Sequence, residues 1–207
     1  MNNLGCWVSL FLNPTYTIVM SFLSALRAQA SGNFIEHWRK CNMKKSKCYD
    51  TSHLIEDQSE PGSRGRVLKN KLGITSKREM DRREKAEQIR TIEELTNIYG
   101  VDHRFTASDI CKIHKLWLGS IYEWAGKYRQ VTMSKNGFPF TFPAQIPRLM
   151  NELEKGPLHK FTPCRFKTLE EVIKALAIVH TELVLIHPFR EGNGRIARML
   201  ATLMALQ

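Results

Sequence analysis

The chain has 207 residues, of which 43% are hydrophobic and 25% are charged, and this balance favours a globular domain over a disordered or membrane-embedded chain. Its formal net charge is +11, which suits a polyanionic partner such as a nucleotide, a nucleic acid or an acidic protein surface, without choosing among them. The five cysteines are odd in number and form no C-x-x-C pair, so a disulfide framework and a zinc site are both disfavoured, and we expect a reducing, cytoplasmic compartment.

The first 42 residues differ from the rest of the chain. Their apolar runs are interrupted by Asn13-Pro14, so no membrane-spanning stretch is expected. Ala28-Gln29-Ala30 resembles a signal-peptidase site, but the first five residues lack the positive charge with which a signal peptide begins. We therefore predict a poorly structured extension or a non-native start over residues 1–42, followed by one domain over residues 43–207.

Helix signals follow one another along that domain. Ser76-x-x-Glu79 forms a capping box, which begins a first helix that stops at Gly100. A second helix is predicted from about Ser108 to Ser120, and a third over residues 143–155. The apolar side chains expected on the inner sides of the first two helices are Met80, Ile89, Ile92, Leu95, Ile110, Ile113, Leu116 and Trp117.

A β-hairpin is predicted between the second and third helices. Residues 128–133 and 138–142 alternate as strands do, and Asn136-Gly137 between them is typical of a two-residue hairpin turn. Because two strands alone are unstable in water, the hairpin must lie against the helical body. Its exposed edge could accept an extended peptide by strand addition.

A buried central helix is predicted after the third helix. Thr168-x-x-Glu171 is another capping box, and the residues from there to Leu183 are largely apolar. A last helix begins around Gly194. The predicted fold class is therefore all-α, mostly helical, with one hairpin.

Twelve residues, His187 to Arg198, run from the end of the central helix into the last helix. They carry the side chains that chemistry on a polyphosphate requires. His187 can take a proton near neutral pH, and the Glu191 carboxylate can hold Mg²⁺. A glycine-flanked turn at a helix start directs backbone N–H groups at an anion, and arginines three residues apart neutralise further phosphate charge. The residues assigned to phosphate binding are Gly192, Asn193, Gly194, Arg195 and Arg198.

This segment matches the pattern H-x-F-x-[D/E]-G-N-G-R-x-x-R at every specified position, and the chain resembles the Fic family. The resemblance extends to residues 121–129 and 134–140, which are similar to the helix exit and the hairpin flap of that family. Residues 60–63 and 67–74 resemble the segment that precedes the core in bacterial members. Together the resemblance covers residues 49–207.

The resemblance implies a Fic-type helical bundle and a protein adenylyltransferase. Such an enzyme transfers AMP from ATP, with Mg²⁺, to a Ser, Thr or Tyr hydroxyl of a target protein and releases pyrophosphate. His187 would be the general base, Glu191 would hold Mg²⁺, and Phe189 would anchor the loop. The flap would dock the target by main-chain pairing through Ser134, Lys135, Asn136, Gly137 and Phe138.

Other reactions occur within the family. Some members transfer UMP, and the Doc branch transfers the γ-phosphate itself. Doc-like proteins place a bulkier residue where Gly194 stands, so Gly194 favours nucleotidyl transfer. The choice of ATP follows from the family alone.

Regulation by an antitoxin is a further implication of the resemblance. Many Fic proteins are silenced by a helix with the pattern [S/T]-x-x-x-E-[G/N], whose Glu pairs with the second motif arginine, here Arg198. Residues 52–57 and 75–80 have the spacing but end on the wrong residue. Either a separate antitoxin supplies the helix, which would make this chain the toxin of a pair, or the helix follows Gln207. Secretion as an effector is an alternative to a cytoplasmic location.

A basic nucleic-acid-binding module is the main alternative from another class. Its support is the net charge and the cluster formed by Lys77-Arg78, Arg82-Arg83 and Lys85. Acidic residues are interleaved in this cluster, which favours a solvated helix with i,i+4 pairs; they are Glu79, Asp81 and Glu84. No helix-turn-helix, zinc-finger or RNA-binding signature accompanies the cluster, so nucleic acid is the less favoured partner.

Overall fold

The computed structural model describes residues 51–135 and 138–207, so the predicted extension over residues 1–42 lies outside the described residues. Within the described ranges the chain is mostly helical, which confirms the predicted fold class. The helices are α1 (Lys77–Ile98), α2 (Ala107–Leu118), α3 (Ile146–Leu153), α4 (His159–Phe161), α5 (Leu169–Ile186) and α6 (Asn193–Ala205). The strands are β1 (Ser134–Lys135) and β2 (Phe138–Pro139).

Helices α5 and α6 pack along each other at the centre of the core, and α2 packs against α6. The small Ala175 and the branched Val179 of α5 are buried, as are Ile196 and Leu200 of α6. The prediction that the apolar helix after Thr168 is the central buried one is therefore confirmed. This pairing sets the position of the loop between α5 and α6, which carries the motif.

Side-chain caps begin α1, α2 and α5. At α5, Thr168 and Glu171 form the reciprocal capping box that the sequence predicts. At α2 the same arrangement joins Thr106 and Asp109, so this helix begins before the predicted Ser108. The earlier start follows from the cap, because Asp109 also accepts the N–H and the hydroxyl of Thr106.

Helix α1 begins at the predicted cap, Ser76, and has one solvated face. Met80 and Leu95 are buried as predicted, but Ile89 is 53% exposed, so its inward assignment is wrong. The interpretation of Glu84 as a solvated charge is also wrong, because its carboxylate is buried and has partners on other elements. The exposed face has the i,i+4 pair Lys77–Asp81 within the predicted cluster, and two further pairs, Arg83–Glu87 and Arg90–Glu94, reach beyond it.

The hairpin is shorter than the alternation predicts. Only two residues on each side pair, in antiparallel register Ser134 with Pro139 and Lys135 with Phe138. Residues 128–133 are not a strand, because Arg129 turns inward and its N–H bonds the Pro188 carbonyl at 2.9 Å.

The third helical segment is longer than predicted. A 3₁₀ turn at Pro143–Gln145 leads into α3, a π-helical turn over Glu154–Leu158 follows, and α4 completes the segment. None of the helices in the described part of the chain has the length and apolar character that a membrane span requires.

Candidate active site

The loop that carries the motif begins at His187, the residue that ends α5. The His187 N–H still bonds the Leu183 carbonyl at 3.1 Å, but its backbone enters the left-handed region with φ of 53°. Residues other than glycine rarely adopt this conformation, and the following Pro188 has no N–H to continue the helix. The chain therefore leaves the helix at His187 and places the imidazole at its end.

The His187 imidazole is held by two contacts. Its Nδ1 lies 3.1 Å from the Val184 carbonyl oxygen, which can only accept, so Nδ1 carries the proton. The ring stacks on Phe140 with centroids 3.6 Å apart and planes 13° apart. Burial, together with the positive charges of Arg129 and Lys135, keeps the pKa of His187 below its ordinary value. At neutral pH the ring is therefore neutral, and Nε2 holds the lone pair that a general base needs.

Phe189 and Asn193 fix the shape of the loop. Phe189 has no exposed surface, which confirms its predicted role as an apolar anchor. The Asn193 side chain bonds the Phe189 backbone at both ends, with Nδ2 donating to the carbonyl at 2.7 Å and Oδ1 accepting from the N–H at 2.8 Å. In this arrangement the Asn193 amide braces the loop, and its predicted contact with a phosphate stays a prediction.

His114 of α2 lies under the same loop with 0% exposure. Its ring stacks on Phe189 with centroids 3.9 Å apart. Nδ1 accepts the Gly126 N–H at 2.8 Å, so Nε2 carries the proton that it donates to the Glu191 carbonyl at 3.1 Å. Burial lowers the pKa of His114 from 6.5 to about 4, so the ring is a neutral brace at physiological pH.

Helix α6 begins directly after Gly192, which must be glycine. Its φ is +83°, and a Cβ there would lie 2.6 Å from Cζ3 of Trp117. The close approach places the first turn of α6 on the Trp117 indole. The N–H groups of Asn193 and Gly194 have no acceptor among the residues that the structure describes, as expected for the first turn of a helix. They are available to an anion at the positive end of the helix dipole.

Arg195 is held by two carboxylates and an aromatic face. Its Nη1 donates to the Glu84 carboxylate at 2.6 Å and its Nη2 to the Glu191 carboxylate at 3.1 Å. The guanidinium lies 4.6 Å from the Trp117 ring centroid. Glu84 also accepts the Tyr122 hydroxyl at 2.7 Å, so this buried carboxylate has both a cation and a neutral donor. Arg195 is thus oriented toward the start of α6 before any ligand arrives.

Arg198 differs from Arg195, because its guanidinium forms no hydrogen bond or ion pair with the described residues. It lies beside the start of α6, where a Cβ on Gly194 would be 3.5 Å from its Nη1. It also faces His180 of α5, whose pKa is lowered by burial and by this cation. A half-buried arginine without a carboxylate partner is suited to an incoming phosphate.

Glu191 fits the predicted metal role. Its side chain is 45% exposed. Among the residues that the structure describes, only its Oε1 has polar contacts, with the Gly192 N–H and with Arg195. Among the described residues no three carboxylate, His or Cys side chains converge on a metal position. One exposed carboxylate matches the way Mg²⁺ is held through a single protein ligand and the phosphates of a nucleotide.

The flap lies beside His187 through Phe140, the residue that follows β2. The predicted docking residues Ser134 and Lys135 are exposed, and Phe138 is half-buried against Phe140 with ring centroids 5.7 Å apart. Asn136 and Gly137 lie outside the described residues. The hairpin is therefore next to the candidate base, and its role in docking a target stays a prediction.

Five side chains of the site were not assigned by the sequence. Their partners are far away along the chain: Glu84 and Arg195, for example, are 111 residues apart. Two signals were present. The resemblance of residues 121–129 and 134–140 to the family covers Arg129 and Phe140, and Trp117 is an aromatic residue at an inward position of a predicted helix. The residues concerned are Glu84, His114, Trp117, Arg129 and Phe140.

Known proteins are similar to this chain in sequence. Residues 104–205 match the family model of the Fic/DOC family. Protein adenylyltransferase VbhT of Bartonella schoenbuchensis is 35% identical over 134 residues, which are 64% of this chain but only 27% of VbhT. A protein of Salmonella typhimurium named probable protein adenylyltransferase Fic is 28% identical over 152 residues, 68% of each chain.

A solved structure has the same fold. It is the N-terminal Fic domain of a VirB-translocated effector protein from Bartonella quintana with bound ADP. The TM-score is 0.59 at 26% identity, over 73% of this chain and 76% of that one.

Proposed function

The chain belongs to the Fic/DOC family, and from this premise we propose that it is a protein adenylyltransferase, which transfers AMP from ATP to a hydroxyl side chain of a target protein. The names of VbhT and of the Salmonella relative support the reaction, and the ADP in the Bartonella quintana domain supports an adenine nucleotide. The observation that carries the proposal is the neutral His187 ring beside the start of α6, where two N–H groups and Arg198 have no partner among the described residues.

His187 is the base of the reaction. Its Nε2 takes the proton of the target hydroxyl while the hydroxyl oxygen forms a bond to the α-phosphorus of ATP. The bond from the α-phosphorus to the bridging oxygen breaks, and pyrophosphate leaves with the electron pair. The lowered pKa of His187 keeps Nε2 unprotonated at neutral pH, so the ring can accept the hydroxyl proton without first losing one of its own.

The start of α6 binds the phosphates. The Asn193 and Gly194 N–H groups face the nucleotide, and Arg195 and Arg198 neutralise the charge that develops on pyrophosphate. Glu191 would hold Mg²⁺, which would offset the repulsion between its carboxylate and the phosphates. Gly194 leaves the approach to this turn open, which favours nucleotidyl transfer over γ-phosphate transfer.

The test is label transfer from α-labelled ATP with Mg²⁺, to the protein itself or to lysate proteins. His187→Ala is expected to lower the rate by about a hundredfold to ten-thousandfold, the contribution typical of a positioned base. His159→Ala removes an exposed histidine of α4, outside the candidate active site, and serves as the matched control. Equal labelling by His187→Ala and His159→Ala would refute the role of His187. Label that arrives only from γ-labelled ATP would show phosphate transfer in place of AMP transfer.

We further propose that an antitoxin controls this site in trans. The support is the guanidinium of Arg198, which forms no hydrogen bond or ion pair with the described residues and is free to take a carboxylate. A small protein with the pattern [S/T]-x-x-x-E-[G/N], encoded beside the chain, would suppress labelling when co-purified with it. Replacement of the Glu in the pattern by Gly would restore labelling; suppression that survives this replacement would contradict the pairing with Arg198.

A further inference from the structure

Arg129 is a buried cation outside the motif. Its side chain is 1% exposed, and none of the described carboxylates forms an ion pair with it. All of its bonded groups face main-chain carbonyls, with Nε donating to His187 at 2.7 Å, Nη1 to Val131 at 2.6 Å and Nη2 to Thr141 at 2.6 Å. The buried Glu56 carboxylate, which accepts the Gln130 N–H at 2.6 Å, offsets part of the cost of burying this charge without forming an ion pair with it. A neutral donor could satisfy a single carbonyl at lower cost.

The three carbonyls belong to three places that must stay together. Val131 lies before β1 and Thr141 lies after β2, so both ends of the flap are bonded to one guanidinium. The third carbonyl is that of His187, the residue with left-handed backbone. A guanidinium is planar and presents its donors in a fixed fork, whereas an ammonium group cannot hold three acceptors in a set plane.

The flap also contacts the side chain of His187. Phe140, next to Thr141, stacks on the imidazole at 3.6 Å. The hairpin thus contacts the ring through Phe140 and the main chain through Arg129. A movement of the flap base would therefore shift the direction of Nε2.

We propose that Arg129 is a positioning residue that fixes the base of the flap to the main chain of His187, so that a target segment docked on the flap presents its hydroxyl to Nε2. The inference rests on the proposed function for the identity of the docked segment. The link between the flap and His187 itself follows from the three hydrogen bonds. When the guanidinium hydrogen bonds of Arg129 are lost, the flap and the main chain of His187 can move apart, while the phosphate site at α6 stays intact.

Arg129→Lys and Arg129→Gln test the proposal, with Leu95→Ala as a control that truncates a buried side chain of α1 without touching these contacts. Both Arg129 variants are expected to lower the rate of label transfer at saturating ATP by about 100-fold, the cost of a misplacement of roughly 1 Å. Binding of ATP, measured by titration, is expected to stay within about twofold of the unmodified chain, because the turn at Gly192 is unchanged. Leu95→Ala, assayed at a temperature where it is folded, is expected to keep the rate within about threefold.

A second readout needs no activity. Long-range ¹H–¹⁵N spectra report the tautomer and the pKa of His187, assigned with His187→Gln. Arg129→Gln is expected to raise the pKa of His187, because a nearby positive charge is lost and solvent gains access. Arg129→Lys is expected to mix the Nδ1–H and Nε2–H tautomers. If no condition gives label transfer, the proposed reaction fails, but these spectra still decide the role of Arg129.

The proposal is overturned if both Arg129 variants show unchanged His187 signals. It is also overturned if they lose no more transfer rate than Leu95→Ala at equal loss of thermal stability. Either result would make Arg129 a structural residue only.

Discussion

His114 makes the stability of the fold depend on pH, and the effect can be calculated. The ring is fully buried, donates to the Glu191 carbonyl and accepts from the Gly126 N–H, which fixes it in the neutral form. Its pKa is 6.5 in an ordinary setting and about 4 in the fold. Between these two values the unfolded chain binds a proton that the folded chain does not bind.

The sign follows from this difference. Stability contributed by the neutral ring is complete above pH 6.5, the ordinary value, and is lost as the pH falls toward 4. Linkage gives a loss of about 2 kcal/mol between about pH 7.5 and about pH 5. His180 and His187 also have lowered pKa values, so the total loss for the chain is larger.

Urea denaturation at the two pH values isolates the share of His114. His114→Gln removes the titration, and its own cost is independent of pH, so the unmodified chain is expected to lose about 2 kcal/mol more than the variant. Equal losses for the two proteins would refute the reasoning. They would mean that the ring is charged in the fold or that it is accessible to water.

Two further predictions concern the neighbours of α6. Glu84→Gln keeps a partner for Tyr122 but removes the charge that faces Arg195; it should cost about 2 kcal/mol in urea denaturation, while Glu93→Gln on the exposed face of α1 stays within about 0.5 kcal/mol. A cost as small as that of the control would show that the Glu84 pair is not a buried one. Gly192→Ala should cost at least about 2 kcal/mol through the collision with Trp117 and the left-handed backbone, whereas Gly156→Ala, with open space around it, stays within about 0.5 kcal/mol. Similar melting temperatures for the two glycine variants would contradict the packing of Gly192 on the indole.

Local signals predicted much of the fold. The capping box at Thr168 and the apolar run behind it are short-range features, and the helix they predict forms as expected. The motif loop was also recognisable, because its glycines and Asn193 lie within a few residues of each other. Two of the errors, at Arg129 and at Glu84, were decided by distant contacts.

Arg129 shows how this happens. Its alternation with neighbouring residues is that of a strand, yet the side chain is held by carbonyls from both ends of the hairpin and from His187, 58 residues later. Glu84 shows the same effect in a helix, since its spacing fits an exposed i,i+4 pair while its partners lie on α6 and after α2. Patterns along one element do not encode which charged residue will be enclosed by others.

The contacts that Glu84 makes with distant residues determine where the functional unit begins. The segment that defines the family starts at residue 104, but Arg195 within it depends on a carboxylate from α1. Trp117 likewise donates its indole N–H to the Glu84 carbonyl at 2.9 Å, and Arg190 donates to the carbonyl of Glu56. A fragment that begins at residue 104 would retain every residue of the motif, but it would lose the earlier residues that orient the motif side chains. The smallest unit that could be transplanted intact between proteins is therefore larger than the segment by which its family is recognised.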